Sequence, residues 1–98
     1  MSNNTSDADF FARANVFINT ANDQCDSAHP NEVSASMLYA VARFNAFIVA
    51  STTGSAQNMT AEKERAMDYL TDQFRKMMVA NFDDFIGNYE AYMKPAQG

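Results

Sequence analysis

Apolar residues recur at spacings of three and four along most of the chain, which is the period of an α-helix with one buried face. The first such segment runs from about Asp7 to Ser27 and carries a single apolar stripe. The stripe consists of Phe10, Ala14, Phe17, Ala21 and Cys25, flanked by Phe11 and Ile18. The opposite side is polar, and Ser6 is suited to cap the N-terminus. The pattern predicts a single-faced helix that is stopped by His29-Pro30, since the residue before a proline disfavours helix.

The second segment begins at Asn31 or Ser34, either of which could cap it, and ends at Gly54. One side has apolar residues at helical spacing: Val33, Met37, Ala40, Val41, Phe44, Phe47 and Ile48. The remaining circumference is also largely apolar, with Ala35, Leu38, Tyr39, Ala42, Ala46, Val49 and Ala50. A helix that is apolar nearly all round is normally buried nearly all round. We therefore expect this helix to need more than one neighbour.

The third segment follows a polar loop, 54–58, and Thr60 is suited to cap its helix. Its apolar stripe consists of Ala66, Leu70, Phe74, Met77 and Met78, and Asp72 and Lys76 are spaced to form an ion pair. Beyond Asn81 the apolar set changes to Phe82, Phe85, Ile86, Tyr89 and Tyr92. The last helix is therefore expected either to continue with a drifting stripe or to be kinked or split near Asn81.

No segment shows the alternation of a β-strand, so the sequence predicts an all-α protein. Connections of about four to seven residues suit neighbouring helices that run antiparallel. We expect three long antiparallel helices in a helical bundle, forming a single domain over residues 1–98. Residues 1–6 and 95–98 are expected to be frayed.

Charge and cysteine content narrow the classes of partner. Seven basic and twelve acidic residues give a net charge of −5, which disfavours nucleic acid. The lone Cys25 suits a reducing compartment, and no secretory signal is visible. The apolar run 33–50 is interrupted by Ser34, Ser36, Arg43 and Asn45, so it falls short of the ~20 consecutive apolar residues of a membrane span. We expect a cytoplasmic protein without a membrane partner.

The residues that most often carry chemistry lack the partners they would need. His29 is the sole histidine, and no spacing typical of zinc or di-iron ligands occurs, so we expect no metal, no cofactor and no catalytic residue. Cys25 lies on an apolar stripe between acidic neighbours, whereas a reactive thiol needs electropositive surroundings. A buried, unreactive cysteine and a non-enzymatic protein are the expected outcomes.

Arg43 is the one charged residue within the apolar run 33–50. A buried arginine needs a carboxylate or several carbonyls, because leaving it unpaired costs several kcal/mol. One interpretation is an ion pair with an acidic residue of the first or third helix, and the other is a site where Arg43 receives an anionic ligand. The neighbouring Asn45 is expected to be paired between helices or to contribute to the same site.

The second helix also offers a candidate surface for self-association. Its small residues let another helix approach closely, and they lie away from the side that carries Phe44, Phe47 and Ile48. We expect the latter side to pack within the protomer. The candidate self-association face consists of Ala35, Leu38, Tyr39, Ala42, Ala46, Val49 and Ala50. It predicts a homodimer or higher homo-oligomer formed through this helix.

Two functions fit this architecture. The first is a self-associating interaction protein that presents an acidic surface to an unidentified protein partner. The alternative is a binder of small molecules or acyl ligands, with a pocket lined by Met and Phe and with Arg43 as its polar anchor. The sequence alone leaves both open.

Three stretches of the sequence resemble a group of small proteobacterial proteins known only as a domain of unknown function. The stretches are residues 10–19, FFARANVFIN; 34–47, which includes SASMLYA and ARFNAF; and 69–77, YLTDQFRKM, followed by Asp83-Asp84. The similarity extends over most of residues 9–93. It implies a helical fold and a bacterial, cytoplasmic origin, and it transfers no catalytic residue.

Overall fold

A computed structural model describes residues 6–94 of the chain, and every regular element in that range is helical. The helices are α1 (Asp7–Gln24), α2 (Pro30–Thr53), α3 (Ala56–Gly87) and α4 (Tyr89–Met93). The predicted all-α class is confirmed, with three long helices and a short fourth one. The expected fraying of residues 1–5 and 95–98 lies outside the described residues.

Helix α1 begins where its sequence pattern predicts. The Ser6 side chain accepts a hydrogen bond from the backbone N–H of Asp9 at 3.2 Å, which confirms Ser6 as the N-cap. The helix ends at Gln24 rather than Ser27. Beyond it, the N–H groups of Asp26 and Ser27 bond three residues back, so the chain tightens into turns.

Helix α2 begins at Pro30, so neither Asn31 nor Ser34 caps it. Proline suits the first position of a helix, where no N–H is required. His29 takes the capping role, because its Nδ1 accepts from the backbone N–H of Asn31 at 3.0 Å. In return, Glu32 Oε1 accepts from the backbone N–H of His29 at 3.3 Å. This reciprocal pair is the arrangement of a capping box, with histidine in place of the usual serine or threonine.

The connection between α2 and α3 is shorter than expected. Gly54 has a φ of +81°, the left-handed conformation that ends a helix, as the sequence predicts. The next residue, Ser55, caps α3 by accepting from the N–H of Asn58 at 3.0 Å. Thr60 is therefore not the cap: its hydroxyl lies inside α3 and donates to the carbonyl of Ala56 at 2.9 Å.

Helix α3 continues through Asn81, so the break expected there does not occur. The Asn81 side chain is accommodated because its Nδ2 donates to the carbonyl of Met77, one turn earlier, at 2.8 Å. The break lies at Asn88, whose φ of −123° and ψ of 26° are not helical. The last predicted helix is thus divided between α3 and α4, at a later point than the drift of the apolar stripe indicates.

Asp84 joins the end of α3 to α4. Its carboxylate accepts from Asn88 Nδ2 at 3.0 Å and from the Tyr92 hydroxyl at 3.0 Å. The rings of Phe85 and Tyr92 meet edge to face, with centroids 4.8 Å apart. The hydrogen bond to Asp84 and the negative charge of that carboxylate raise the pKa of Tyr92 above its ordinary value.

The chain divides into two units, Met1–Ile48 and Val49–Gly98, which are described separately. In the first unit, Val33 is the buried hydrophobic residue among those described, with 8% of its surface exposed. In the second, Leu70 and Ala66 are half-buried along α3. Whether residues 1–98 behave as a single domain stays a prediction.

Candidate interaction surface

The candidate self-association residues share one side of α2. At ~100° per residue, they fall within an arc of roughly 120° around the helix axis. This side, called the alanine face below, comprises Ala35, Leu38, Tyr39, Ala42, Ala46, Val49 and Ala50. The last two residues belong to the second unit and the other five to the first. In the first unit, the Tyr39 side chain is 65% exposed and that of Leu38 54%.

The opposite side of α2 carries larger apolar residues. This side, called the phenylalanine face below, comprises Val33, Met37, Ala40, Val41, Phe44, Phe47 and Ile48. Apart from Val33 these residues are exposed, and Phe44 is 63% exposed. The expectation that this face packs within the protomer is therefore not met inside the first unit, whose own described residues leave the face exposed. The physical reason is that an apolar pattern shows a preference for burial without identifying the surface that provides it.

Arg43 and Asn45 lie at the two edges of the alanine face, each about 80° from its centre. The Arg43 side chain is exposed. Ion pairs within the described residues join Glu62 to Arg65 and Asp72 to Lys76. Within the first unit, Arg43 therefore forms no ion pair with a described residue of α1, and its pairing with the third helix stays a prediction. An exposed guanidinium is solvated by water and needs no carboxylate from its own chain, whereas a buried one would.

The amide of Asn45 is half-buried and is satisfied within its own helix. Its Nδ2 donates to the carbonyl of Val41 at 2.9 Å. The expected pairing between helices is therefore replaced by a local hydrogen bond, which a short polar side chain can form one turn back.

The ion pair predicted between Asp72 and Lys76 of α3 is formed, with Lys76 Nζ and Asp72 Oδ2 3.1 Å apart.

The residues considered for chemistry have structural surroundings. His29 caps α2 through Nδ1, and Cys25 is a free, half-buried thiol at the end of α1. Within residues 6–94, no three His, Cys, Asp or Glu side chains are grouped as metal ligands would be. These residues therefore supply no arrangement from which a reaction can be derived.

A groove of about 430 Å³ in the second unit had no counterpart in the sequence prediction. Its lining is mostly polar: Thr52, Thr53, Asn58, Ala61, Glu62 and Arg65. Asn58 Nδ2 donates to the carbonyl of Thr53 at 2.9 Å, and Arg65 pairs with Glu62 across one helical turn. The groove could not be predicted from Thr60 as the cap, because that assignment places a loop between the two helices. With Ser55 as the cap, the first turn of α3 starts directly after α2. Arg43 is not among its lining residues.

The other long helices also expose their apolar stripes. In α1, Phe10 and Phe17 are exposed, while Ala14 and Ala21 are half-buried. In α3, Phe74, Met77 and Met78 are exposed. Apolar surface of this extent is typical of a protein–protein or membrane interaction site. Each unit therefore presents apolar helix surface that its own described residues leave uncovered.

By length and composition, α2 could also cross a membrane. It has 24 residues and a mean hydropathy of 1.5 over its most apolar part, and of the described helices it is the one that meets this criterion. At 1.5 Å per residue, it spans about 36 Å, compared with the ~30 Å of a bilayer core. Core helices of soluble proteins and signal sequences meet the same criterion. The expectation of no membrane partner therefore stays a prediction.

Comparisons with known proteins place the chain in a family. Residues 10–86 match the family described as Protein of unknown function (DUF3144). The chain is also similar to the NMR structure of the protein NB7890A from Shewanella sp, with 33% sequence identity and a TM-score of 0.73. That similarity covers 99% of this chain and 100% of the other. Comparison with curated proteins gives no match. The chain belongs to the DUF3144 family, which confirms the resemblance to a domain of unknown function.

Proposed function

We propose that this member of the DUF3144 family is a non-enzymatic interaction protein that works as a homo-oligomer assembled through α2. The observation that carries the proposal is the pair of opposed apolar faces on α2, of which the described residues bury only Val33. A helix of this kind is stabilised mainly by packing of its apolar surface rather than by intrinsic propensity. It therefore requires a partner surface.

The free energy available from covering α2 is large. Its exposed large side chains are Met37, Leu38, Tyr39, Val41, Phe44, Phe47 and Ile48. Full burial of one such side chain stabilises a protein by about 1.5–3 kcal/mol, so covering the exposed halves of all seven gives roughly 5–10 kcal/mol. The marginal stability of a small domain is of the same size. Leu38 and Tyr39 lie on the alanine face, so a contact through that face supplies roughly 1.5–3 kcal/mol of this sum, and covering the phenylalanine face supplies the rest.

A second copy of the chain is the partner that the alanine face of α2 fits best. It is always available at the same concentration, and two-fold self-association is the commonest symmetry among soluble oligomers. A nucleic acid partner is disfavoured by the net charge of −5. The acidic exterior then remains available to a further protein partner in the cytoplasm, the compartment that this proposal assumes.

Membrane insertion of α2 is the competing use of the same apolar surface. Arg43 lies close to the middle of Pro30–Thr53, where it would meet the centre of a bilayer. A charged residue there costs at least ~2.5–3.5 kcal/mol. At the edge of a helix interface in water, the same guanidinium stays solvated. Self-association therefore accommodates Arg43 better than insertion does.

The substitution Ala42→Glu tests the proposal, because it places a charge near the centre of the alanine face. We expect the variant to be a monomer or to dissociate at much higher concentration than the wild type, as measured by light scattering coupled to size exclusion. Ala12→Glu makes the same chemical change on the polar side of α1 and should leave the oligomer intact. A wild-type protein that is monomeric at all accessible concentrations would refute the proposal, and partition into detergent or membranes would favour insertion.

The ligand-binding alternative is supported only by the exposed, unpaired guanidinium of Arg43. The groove in the second unit has a different, mostly polar lining. Thermal-shift measurements with anionic amphiphiles test this alternative. An Arg43→Met variant whose unfolding temperature still responds fully would remove Arg43 from any such site.

A further inference from the structure

Arg43 shares one edge of the alanine face with the only acidic residue of α2, Glu32. The two are eleven residues apart, and eleven steps of ~100° amount to three turns plus ~20°. Their side chains therefore leave the helix in nearly the same direction, about 16 Å apart along its axis. The exposed side chain of Tyr39 lies near this edge, whereas that of Leu38 lies at the opposite edge of the alanine face.

Neither charge forms an ion pair among the described residues of the first unit. Arg43 is exposed and forms none of the ion pairs in residues 6–94. The carboxylate of Glu32 uses Oε1 to accept from the backbone N–H of His29, which leaves Oε2 for another donor. One helix edge thus presents a positive and a negative group at a fixed separation.

We propose that two copies of the chain pack with their α2 helices antiparallel through the alanine face, so that Arg43 of each copy pairs with Glu32 of the other. This inference rests on the proposed self-association and adds its orientation and register. A two-fold axis perpendicular to both helices keeps the same edge of each helix on the same side of the interface. The two charges therefore meet when that axis passes at the level of Leu38, midway between positions 32 and 43.

The charges also disfavour the register with the greatest overlap. Centring the contact on the whole alanine face would place the axis near Ala42. The two Arg43 side chains would then lie on the same edge at nearly the same height, and like charges so placed repel. Moving the axis to Leu38 replaces this repulsion by two ion pairs. Charges beside the apolar seam of paired helices commonly set orientation and register in this way. Leu38 and Tyr39 become the central apolar contacts.

Charge reversal tests the pairing. Arg43→Glu and Glu32→Arg should each weaken self-association about 10- to 30-fold, since each replaces two attractive pairs by two repulsive ones. The double variant Arg43→Glu/Glu32→Arg should return to within about threefold of the wild type, because the charges are complementary again. Sedimentation equilibrium measures the dissociation constants, and circular dichroism checks that each variant remains helical.

Disulfide trapping tests the register independently, in a Cys25→Ser background. Leu38→Cys lies next to the proposed axis and should form a covalent dimer under mild oxidation. Ala42→Cys is the control, because its two copies would be separated by about 13 Å along the axis, beyond the ~7 Å between Cα atoms that a disulfide allows.

The outcomes separate the register from the proposed function. A monomeric wild type would overturn both. An oligomer that tolerates both single reversals, or is not restored by the double variant, would overturn the ion pairing alone. Trapping of Ala42→Cys instead of Leu38→Cys would overturn the register and leave self-association standing.

Discussion

The substitution Phe44→Ala measures whether the phenylalanine face of α2 is covered in the native protein. In the structure of the chain, the Phe44 side chain is 63% exposed. Complete burial of a phenylalanine stabilises a protein by up to about 3 kcal/mol, so the third that is covered here accounts for less than ~1 kcal/mol. Alanine is also the better helix former by several tenths of a kcal/mol. For the chain alone, the change in unfolding free energy should be close to zero.

If another surface covers Phe44, the same substitution removes a packed ring and leaves a cavity. The expected loss is then about 3–5 kcal/mol per protomer. The assay is urea unfolding followed by circular dichroism, repeated at protein concentrations roughly 100-fold apart. The urea midpoint of an oligomer should rise with protein concentration, and the apparent unfolding free energy of a two-state dimer should increase by about 2.7 kcal/mol over this range. We expect the larger loss. It requires a covering surface besides the contact through the alanine face, because Phe44 lies on the opposite side of α2. The dependence on concentration is expected from the alanine-face contact itself.

Val16→Ala is the control for this experiment. Val16 is 62% exposed, similar to Phe44, but it lies on the polar side of α1, where no partner is proposed. Its loss should change the unfolding free energy by less than ~0.5 kcal/mol. A change below ~1 kcal/mol for Phe44→Ala as well, with no dependence on concentration, would mean that the phenylalanine face stays in water. That result would contradict our explanation of how α2 is stabilised.

Two further predictions concern the second unit. Ser55→Ala should lower the unfolding free energy by about 1 kcal/mol, because it removes the N-cap of α3. Thr60→Ala is the control and should leave the unfolding free energy nearly unchanged. Equal losses for the two variants in urea unfolding would contradict this assignment. The pKa of Tyr92 is expected to lie above the ordinary tyrosine value, because its hydroxyl donates a hydrogen bond to the Asp84 carboxylate. This contribution to stability is complete below the ordinary tyrosine pKa of about 10 and is lost as the pH rises through the higher folded value. The shift should disappear in Asp84→Asn when resolved by NMR, and a shift that persists there would remove the carboxylate as its cause.

Some local features of the helices could be predicted because they depend on neighbouring residues. The serine cap at Ser6, the left-handed Gly54 and the Asp72–Lys76 pair all follow from residues within one turn of each other. The predicted caps of α2 and α3 were wrong, because another residue a few positions earlier takes the role in each case. His29 displaced Asn31 because proline fixed the first turn of α2, and Ser55 displaced Thr60 because it directly follows the glycine.

The two opposed apolar faces of α2 could also be predicted, since helical periodicity assigns Leu38 and Phe44 to different sides of the helix. The structure was needed to show that the described residues of the first unit leave both faces exposed, that Arg43 forms no ion pair within that unit, and that α3 continues to Gly87. The difference lies in how far apart in sequence the interacting residues are. Hydrogen bonds within a helix join residues four apart, so the pattern of the chain specifies them, whereas burial depends on surfaces that are distant in sequence or belong to another molecule.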